Sequence, residues 1–294
     1  MSKECFRSKS FNPRDEARID LCNDIIEDYS GQGLRMTLRQ LYYQLVTKNA
    51  ITNEEKSYKN LGKLVSDARL AGLMDWSAIE DRGRMPDVPS DWSSIASLAE
   101  AACRGFRLPR WEGQEYYAEL WVEKQALAGV LEPLASKFHV TLMVNKGYSS
   151  QSAMYSASRR FLYECNDGER KPMLFYLGDH DPSGEDMVRD VRERLEMFGV
   201  EDITVDKLAL TMTQIKKYNP PPNPAKVTDS RAAAYIAEHG DSSWEVDALP
   251  PNVLARIISS AFEEIIDKDA MDAIIAREEK GKTALRKAAA KIEV

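Results

Sequence analysis

The chain is poor in the side chains that zinc and thiol chemistry use. Its 294 residues hold four cysteines and three histidines. Cys5, Cys22, Cys103 and Cys165 form no C-x-x-C pair, and His139, His180 and His239 have no ligand spacing with them. That pattern excludes a zinc site and fits reduced thiols. Long apolar runs are missing too: no stretch approaches the roughly 18 residues of a membrane span. The segment MSKECFRSKSFNPRDEAR lacks the apolar block of a signal peptide, so a cytoplasmic location is expected. No Walker-type or other glycine-rich nucleotide loop is present. Nor is there an excess of positive charge, the formal net charge being −7. The deficit is uneven, because residues 1–112 hold 17 basic and 17 acidic side chains and the remainder carries the whole −7. Within Arg35 to Arg69, seven basic residues face three acidic ones. A local basic surface of that kind meets the requirement for neutralising phosphates, and Arg35, Lys63 and Arg69 are its candidate contacts.

What is present begins with MLFYLGDHDPSG, Met173 to Gly184. An apolar run ends there in two acids one position apart, followed at once by turn residues, which predicts a buried strand with carboxylates at its carboxyl end. Alternation along an extended chain turns Asp179 and Asp181 toward one point, and hard oxygen ligands in that setting suit Mg²⁺, with Mn²⁺ a possible substitute. His180, between them, points to the opposite face. Glu185 to Phe198 has helical spacing in Met187, Val188, Val191, Leu195 and Phe198. Upstream, Tyr116 to Val122 (YYAELWV) predicts a strand ending in Glu123 and Lys124, and His139 to Val144 predicts another, with a helix-like stretch then running to Tyr163. Strands alternating with helices predict an α/β unit with a mainly parallel sheet, whose carboxyl edge would gather Glu123, Asp179 and Asp181. Lys124, beside Glu123, reads either as a phosphate contact or as a solvated side chain.

A Glu after one strand and a D-x-D after a later one resembles the Toprim domain, the metal-binding module of topoisomerases, primases and some nucleases. The loop NKGYSSQSAMYSASRRF (Asn145 to Phe161), the D-x-D-P-x-G of Asp179 to Gly184, LALTMTQIKKYNPPPNPAKVTDSR (Leu208 to Arg231) and WEVDAL (Trp244 to Leu249) resemble more narrowly the A subunit of topoisomerase VI and its relative, the meiotic double-strand-break protein. The resemblance aligns Arg159 and Arg160 with a basic, DNA-contacting position.

Ahead of this unit, Arg14 to Tyr29 predicts a helix ended by the GQG of Gly31 to Gly33. Thr37 caps a second helix through TLRQLYYQLV, and Tyr58 to Leu70 forms a third. AGLMDWSAIEDRGR follows as a hairpin or wing, so the expected plan is a winged helix. TLRQLYY, Thr37 to Tyr43, resembles the segment of the topoisomerase VI A subunit that carries its DNA-cleaving tyrosine. The resemblance makes Tyr43 the nucleophile and Arg39 its supporting cation, with Gln40 departing from the acid usual at that position. Arg39 lies at i−4 on the same helix face, where a cation favours the phenolate of a group whose pKa is ordinarily near ~10. GFRLPRWEG, Gly105 to Gly113, is the expected linker, giving an amino-terminal domain over residues 1–110 and a Toprim domain with a helical tail over 111–294.

The implied activity is Mg²⁺-dependent cleavage of double-stranded DNA by tyrosine transesterification, in a reduced, stand-alone relative associated with the nucleoid. In the related enzymes the tyrosine of one subunit meets the metal site of the other, so the resemblance implies a homodimer, with any ATPase on a separate B-type subunit. Two other readings stay open: a hydrolytic Toprim nuclease in which water attacks and Tyr43 only packs, and a non-catalytic DNA-binding protein. Glu245 and Asp247, in WEVDAL, read as part of a short edge strand or a loop before a helix. The four prolines of NPPPNPAK, Asn219 to Lys226, exclude helix and central strand there.

Overall fold

In the computed structural model the described residues are 3–32, 36–76, 79, 90–165, 168–225, 228–229 and 231–291. The amino-terminal part is helical. Helix α1 (Pro13–Gly31) starts where the Asn12 side chain accepts from the backbone N–H of Asp15, with proline at its first position. Helix α2 (Leu38–Thr47) is opened by a reciprocal cap: Gln40 N–H donates to Thr37 Oγ1 at 3.3 Å, and Thr37 N–H donates to Gln40 Oε1 at 2.8 Å. Two donors that a helix end leaves orphaned are thereby satisfied. Gln40 is therefore the residue that closes the cap. Helix α3 (Glu55–Leu70) completes the group. Ile19, Cys22, Ile25, Leu41, Leu45, Leu61 and Val65 bury their apolar faces in one core. Of the expected wing, residues 77–78 and 80–84 lie outside the described residues; Ile79 makes a single bridge to Met36.

Helix α4 (Ile95–Gly105) leads to the linker, and the α/β unit follows: β1 (Tyr116–Val122), α5 (Ala128–Phe138), β2 (Thr141–Val144), α6 (Gln151–Cys165), β3 (Lys171–Leu177), α7 (Pro182–Met197) and β4 (Thr204–Ala209). The four strands form the expected parallel sheet in the order β2-β1-β3-β4. Both faces of a parallel sheet need cover. Met154, Phe161, Val191 and Leu195, from α6 and α7, pack on the Trp121 and Tyr176 side. Leu131 of α5 packs on the Leu120 and Phe175 side. Short elements follow: α8 (Met212–Tyr218), a two-residue ladder of β5 (Asn223–Pro224) with β6 (Ser242–Ser243), and α9 (Ala232–His239). Among its described residues the proline-rich run thus contributes an edge pair, as a chain lacking amide donors must. Helices α10 (Pro251–Ile265) and α11 (Lys268–Ala289) end the fold, with Leu254, Ile258 and Phe262 of α10 joining α5 on its face of the sheet.

The alternation of β1 places one acid inside. Glu119, fully buried, accepts from Tyr117 Oη and Trp121 Nε1 at 2.8 Å each and from Arg160 Nε and Nη2 at 2.9 Å each. A buried carboxylate is tolerable when its lone pairs are filled in this way.

A second such pair ties the linker to the carboxyl-terminal helix. Arg110 grips Glu278 with two bonds of 2.8 Å, and Leu108 N–H adds a third at 3.1 Å. The bond from Arg110, working against burial, holds the Glu278 carboxyl down at about 2. An unfolded Glu titrates near ~4.3, so this pairing stabilises the fold fully above about pH 5, and its contribution fades as pH falls toward 2. Arg110→Met is expected to lower unfolding free energy by about 3 kcal/mol at neutral pH, because it strands a buried charge. The gap from the native chain should narrow as urea denaturation is repeated at pH 5, 4 and 3.

Candidate active site

The site lies where the carboxyl ends of β1 and β3 meet the amino-terminal helices. Val122 and Leu177 are register partners, so the residues that follow them emerge side by side. Glu123 Oε2 accepts from Asp179 N–H at 3.2 Å. Gly178 and Gly184 make this turn possible. A Cβ on Gly178 would stand 2.7 Å from the Tyr176 ring and 3.1 Å from Glu123 Oε2, and one on Gly184 only 2.3 Å from the Asp179 carbonyl oxygen. Asp181 caps α7, its Oδ1 accepting from Gly184 N–H at 2.7 Å and Ser183 Oγ at 2.8 Å. Strand β3 has ended at Leu177, so Asp179 and Asp181 reach one cavity through this capped loop and not through strand alternation. His180 turns away from them, as expected. It is buried against Tyr235, with 2.7 Å between Nδ1 and the phenol oxygen, and against the Trp244 ring.

A backbone bridge then imports two acids that sequence reasoning left aside. His180 and Trp244 exchange hydrogen bonds of 2.9 and 3.0 Å, which sets Glu245 and the 3₁₀ turn Val246–Ala248 alongside Asp179. Val246 N–H donates to Asp179 Oδ1 at 2.9 Å. Lys124 is drawn into the middle: its Nζ lies 2.7 Å from Asp179 Oδ2, 3.0 Å from Glu245 Oε2 and 3.8 Å from Asp247 Oδ1. It is therefore a structural cation, engaged on every side. Asp247 is wholly buried and its carboxylate oxygens accept no hydrogen bond, although Arg39 Nε is 3.4 Å away. Burial raises its pKa to about 6 despite Lys124 and Arg39. Glu245 is pushed the other way. Burial favours its neutral form, but Lys124 and Arg39 together hold it at about 2. Burial and the Asp179 charge push Glu123 up.

From the opposite wall, α2 delivers Arg39 and Tyr43. The Arg39 guanidinium binds Glu245 through Nε and Nη2 and lies 5.9 Å from the centre of the Tyr43 ring. Tyr43 is only 3% exposed. Burial and then the Glu245 carboxylate raise its pKa, while Arg39 and Asn223 oppose them. Tyr42 is occupied elsewhere, its hydroxyl donating to Asn53 Oδ1 at 2.9 Å. Asn53 in turn donates to the Pro222 carbonyl at 2.9 Å, so the proline-rich segment closes the site from above. Arg39, Tyr42, Tyr43, Asp179, Asp181 and Glu245 line one cavity of about 340 Å³, within the range of small-ligand sites. A larger hollow, about 1150 Å³, lies at the opposite edge of the sheet around Trp111, His139 and Arg170, far from these groups.

The remaining predicted contacts are dispersed. Lys63 is exposed on α3, on one face with Lys56 and Lys59, the last paired with Glu55 at 2.7 Å. Arg69 donates to the Ile79 carbonyl at 2.9 Å and lies over Trp76. Arg159 is exposed on α6, whereas Arg160 is committed to Glu119. Arg35 lies outside the described residues.

Among the described residues, no three His, Cys, Asp or Glu side chains are gathered closely enough to enclose a metal ion. The donor chemistry nevertheless fits a hard cation: carboxylate oxygens only, one carboxylate buried without a hydrogen-bond donor, and an ammonium already held between Asp179 and Glu245. Compared with protein-family models and with curated proteins, the chain matches none significantly.

Removing the central cation tests how far the cluster depends on it. Lys124→Met is expected to lower unfolding free energy by about 3 kcal/mol, since three carboxylates lose their shared partner. Combined with Glu245→Gln it should cost less than the two single changes added together. Urea denaturation of the four chains measures this coupling, and a value near zero would mean that Lys124 does not hold the cluster.

Proposed function

We propose that this chain cleaves double-stranded DNA by tyrosine transesterification with Mg²⁺ as its cofactor, in the manner of a topoisomerase VI A subunit. The observation that carries this reading is the convergence of Tyr43 and Arg39 with Asp179 and Asp181 on one cavity, although more than a hundred residues of chain separate them. In the proposed step the Tyr43 oxygen attacks phosphorus. The bond from Tyr43 to phosphorus forms, the bond from phosphorus to the 3′ oxygen breaks, and that oxygen leaves with a proton as the free hydroxyl. Arg39 favours the phenolate and faces the incoming phosphate. Glu123, Asp179 and Asp181 would hold the metal ion, which when bound supplies positive charge at the phosphate and at the leaving oxygen. The basic face of α3, carrying Lys56, Lys59 and Lys63, is proposed as the DNA-facing surface of a winged-helix domain, with Arg159 a further contact. Cutting both strands calls for two copies, so a homodimer is proposed, with any ATPase supplied by a separate subunit.

One observation favours a second reading. Tyr43 is almost wholly buried and its pKa is raised, as for a packing residue, which leaves room for a hydrolase in which water attacks.

Supercoiled plasmid incubated with the protein and Mg²⁺ or Mn²⁺, then denatured with and without protease, separates the two. Transesterification predicts ends attached to protein, at least 100-fold fewer with Tyr43→Phe or Asp179→Asn. Free ends that persist with Tyr43→Phe identify a hydrolase, and no cleavage under either metal would overturn both readings. For DNA contact, replacing Lys56, Lys59 and Lys63 together by Ala should flatten the slope of log affinity against log salt by about 2 to 3. An unchanged slope would remove this face from the interface.

A further inference from the structure

Two aromatic rings stand together on the surface at the carboxyl end of α3. Phe6 is 62% and Trp76 40% exposed, and their ring centres lie 5.9 Å apart in an edge-to-face arrangement. Fixed backbone presents both. The N–H groups of Phe6 and Arg7 donate to the Leu70 carbonyl at 2.9 Å each, and Cys5 pairs with Ala71 in an antiparallel bridge. Gly72 permits that approach, since its φ is +73° and a Cβ there would meet the Cys5 backbone nitrogen at 3.0 Å. On the Trp76 side, Met74 is fully buried in the helical core. Leu73 N–H donates to the Ala68 carbonyl at 2.9 Å, and the Leu73 carbonyl accepts from Asn23 Nδ2 at 3.0 Å. The ordering that a ligand would otherwise have to impose on these rings is already in place.

The surround is basic. The Arg69 guanidinium lies 5.8 Å from the centre of the Trp76 ring. The bond from Lys9 lowers the pKa of Asp67, and Lys63 and Arg7 add to the effect, so three cations stand around that carboxylate. Arg7, Ser8, Lys9, Asp67 and Leu70 line a hollow of about 230 Å³ that begins one residue from Phe6. Aromatic rings flanked by cations suit a ligand with flat apolar faces and negative charge, as a nucleotide unit of a strand has. In a paired duplex both faces of a base are covered by its neighbours, so the unit that fits is one whose base is unstacked. We infer that Phe6 and Trp76 form a stacking platform for an unpaired nucleobase of a nucleic-acid strand, with Arg7, Ser8 and Lys9 at its phosphate. The platform shares no lining residue with the cavity of Arg39 and Tyr43, and it stands whether or not the chain cuts DNA. It prolongs the basic face of α3, because Lys56, Lys59 and Lys63 lead along one side of the helix to Asp67.

The test is binding of fluorescein-labelled strands to the full chain, read by anisotropy at about 0.15 M salt. The probes are an oligothymidylate, an abasic strand with the same number of phosphates, a fully paired duplex, and that duplex with an unpaired thymidine bulge. The native chain should bind the oligothymidylate about 10-fold more tightly than the abasic strand, because stacked bases add affinity that phosphates do not. Phe6→Leu combined with Trp76→Leu should remove that preference and leave affinity for the paired duplex within about twofold. Trp76→Phe, which keeps a ring, should retain most of it. Should the double variant fold poorly, Phe6→Ala replaces it, a change at an exposed ring that should reduce the preference several-fold. Equal affinity of the native chain for both strands, or a preference that survives in the variants, would overturn the inference. So would polyglutamate that displaces the strand as well as unlabelled oligothymidylate does, since the patch would then be a site for acidic protein segments. Tighter binding of the bulged than of the paired duplex supports the inference with an opened duplex as a source of the base; binding of the oligothymidylate alone supports it with a single strand as the source. None of these results bears on the cleavage reading, which stands or falls on protein-linked ends.

Discussion

Burying carboxylates at the edge of a parallel sheet creates a requirement for positive charge, and much of this structure answers it. Asp179 and Asp247 are buried and Glu245 is half-buried, all within reach of one another, where repulsion is poorly screened. Lys124 comes from the same sheet edge, one residue beyond Glu123. It does not meet the requirement alone, and Arg39 arrives from α2. The helical part of the chain is thus held against the α/β part by charge as well as by the apolar seat around Ala248. The hydrophobic contact sets how strongly α2 docks, and the ion pairs set where along the turn it docks.

The position of Tyr43 is a consequence of that docking. Arg39 and Tyr43 share a helix face at i and i+4, so whatever fixes the guanidinium fixes the phenol. The same neighbour that places the ring also works against its ionisation. Glu245 carries full negative charge because two cations hold its pKa near 2, and that charge adds to burial, the larger cause, in raising the pKa of Tyr43. The arrangement favours the neutral phenol until something draws on Glu245 or adds positive charge beside the ring.

How much of this was legible in the sequence depends on the range over which each feature is decided. The helices α1 to α3, the cap at Thr37, the parallel strands and the turn at Gly184 are local, and hydrophobic spacing and cap chemistry expose them. The meeting of Glu123 with Asp179 was legible because adjacent parallel strands end at one edge. Glu245 and Asp247 were not, since their spacing alone reads as a short edge strand. Only the backbone bridge between His180 and Trp244 carries them beside Asp179, and no local pattern encodes a pairing across 64 residues. Lys124 and Arg160 show the same blindness in reverse. Each looks like a free cation in the sequence, yet each is claimed by a buried acid, Asp179 in one case and Glu119 in the other. Gln40 has a local role in the capping box, one that cap chemistry makes legible.

Charge also decides what can enter the cavity. Among the described residues, Glu54, Glu55, Asp179, Asp181 and Glu245 line it with the single cation Arg39, and Glu123, Asp247 and Lys124 bond or pair with that lining from outside it. Protonation relieves part of the excess, since Glu123 and Asp247 both have raised pKa values. A phosphodiester entering this space brings a further negative charge. Lys124 and Arg39 cannot be turned fully toward it without exposing the acids they now neutralise. The basic residues on α3, proposed above as the DNA-facing surface, are exposed and screened by salt, so they add little inside the cavity. Positive charge therefore has to be added at the carboxylates themselves before a phosphate can sit beside Tyr43. On the cleavage reading proposed above, a hard cation held by carboxylate oxygens is that addition.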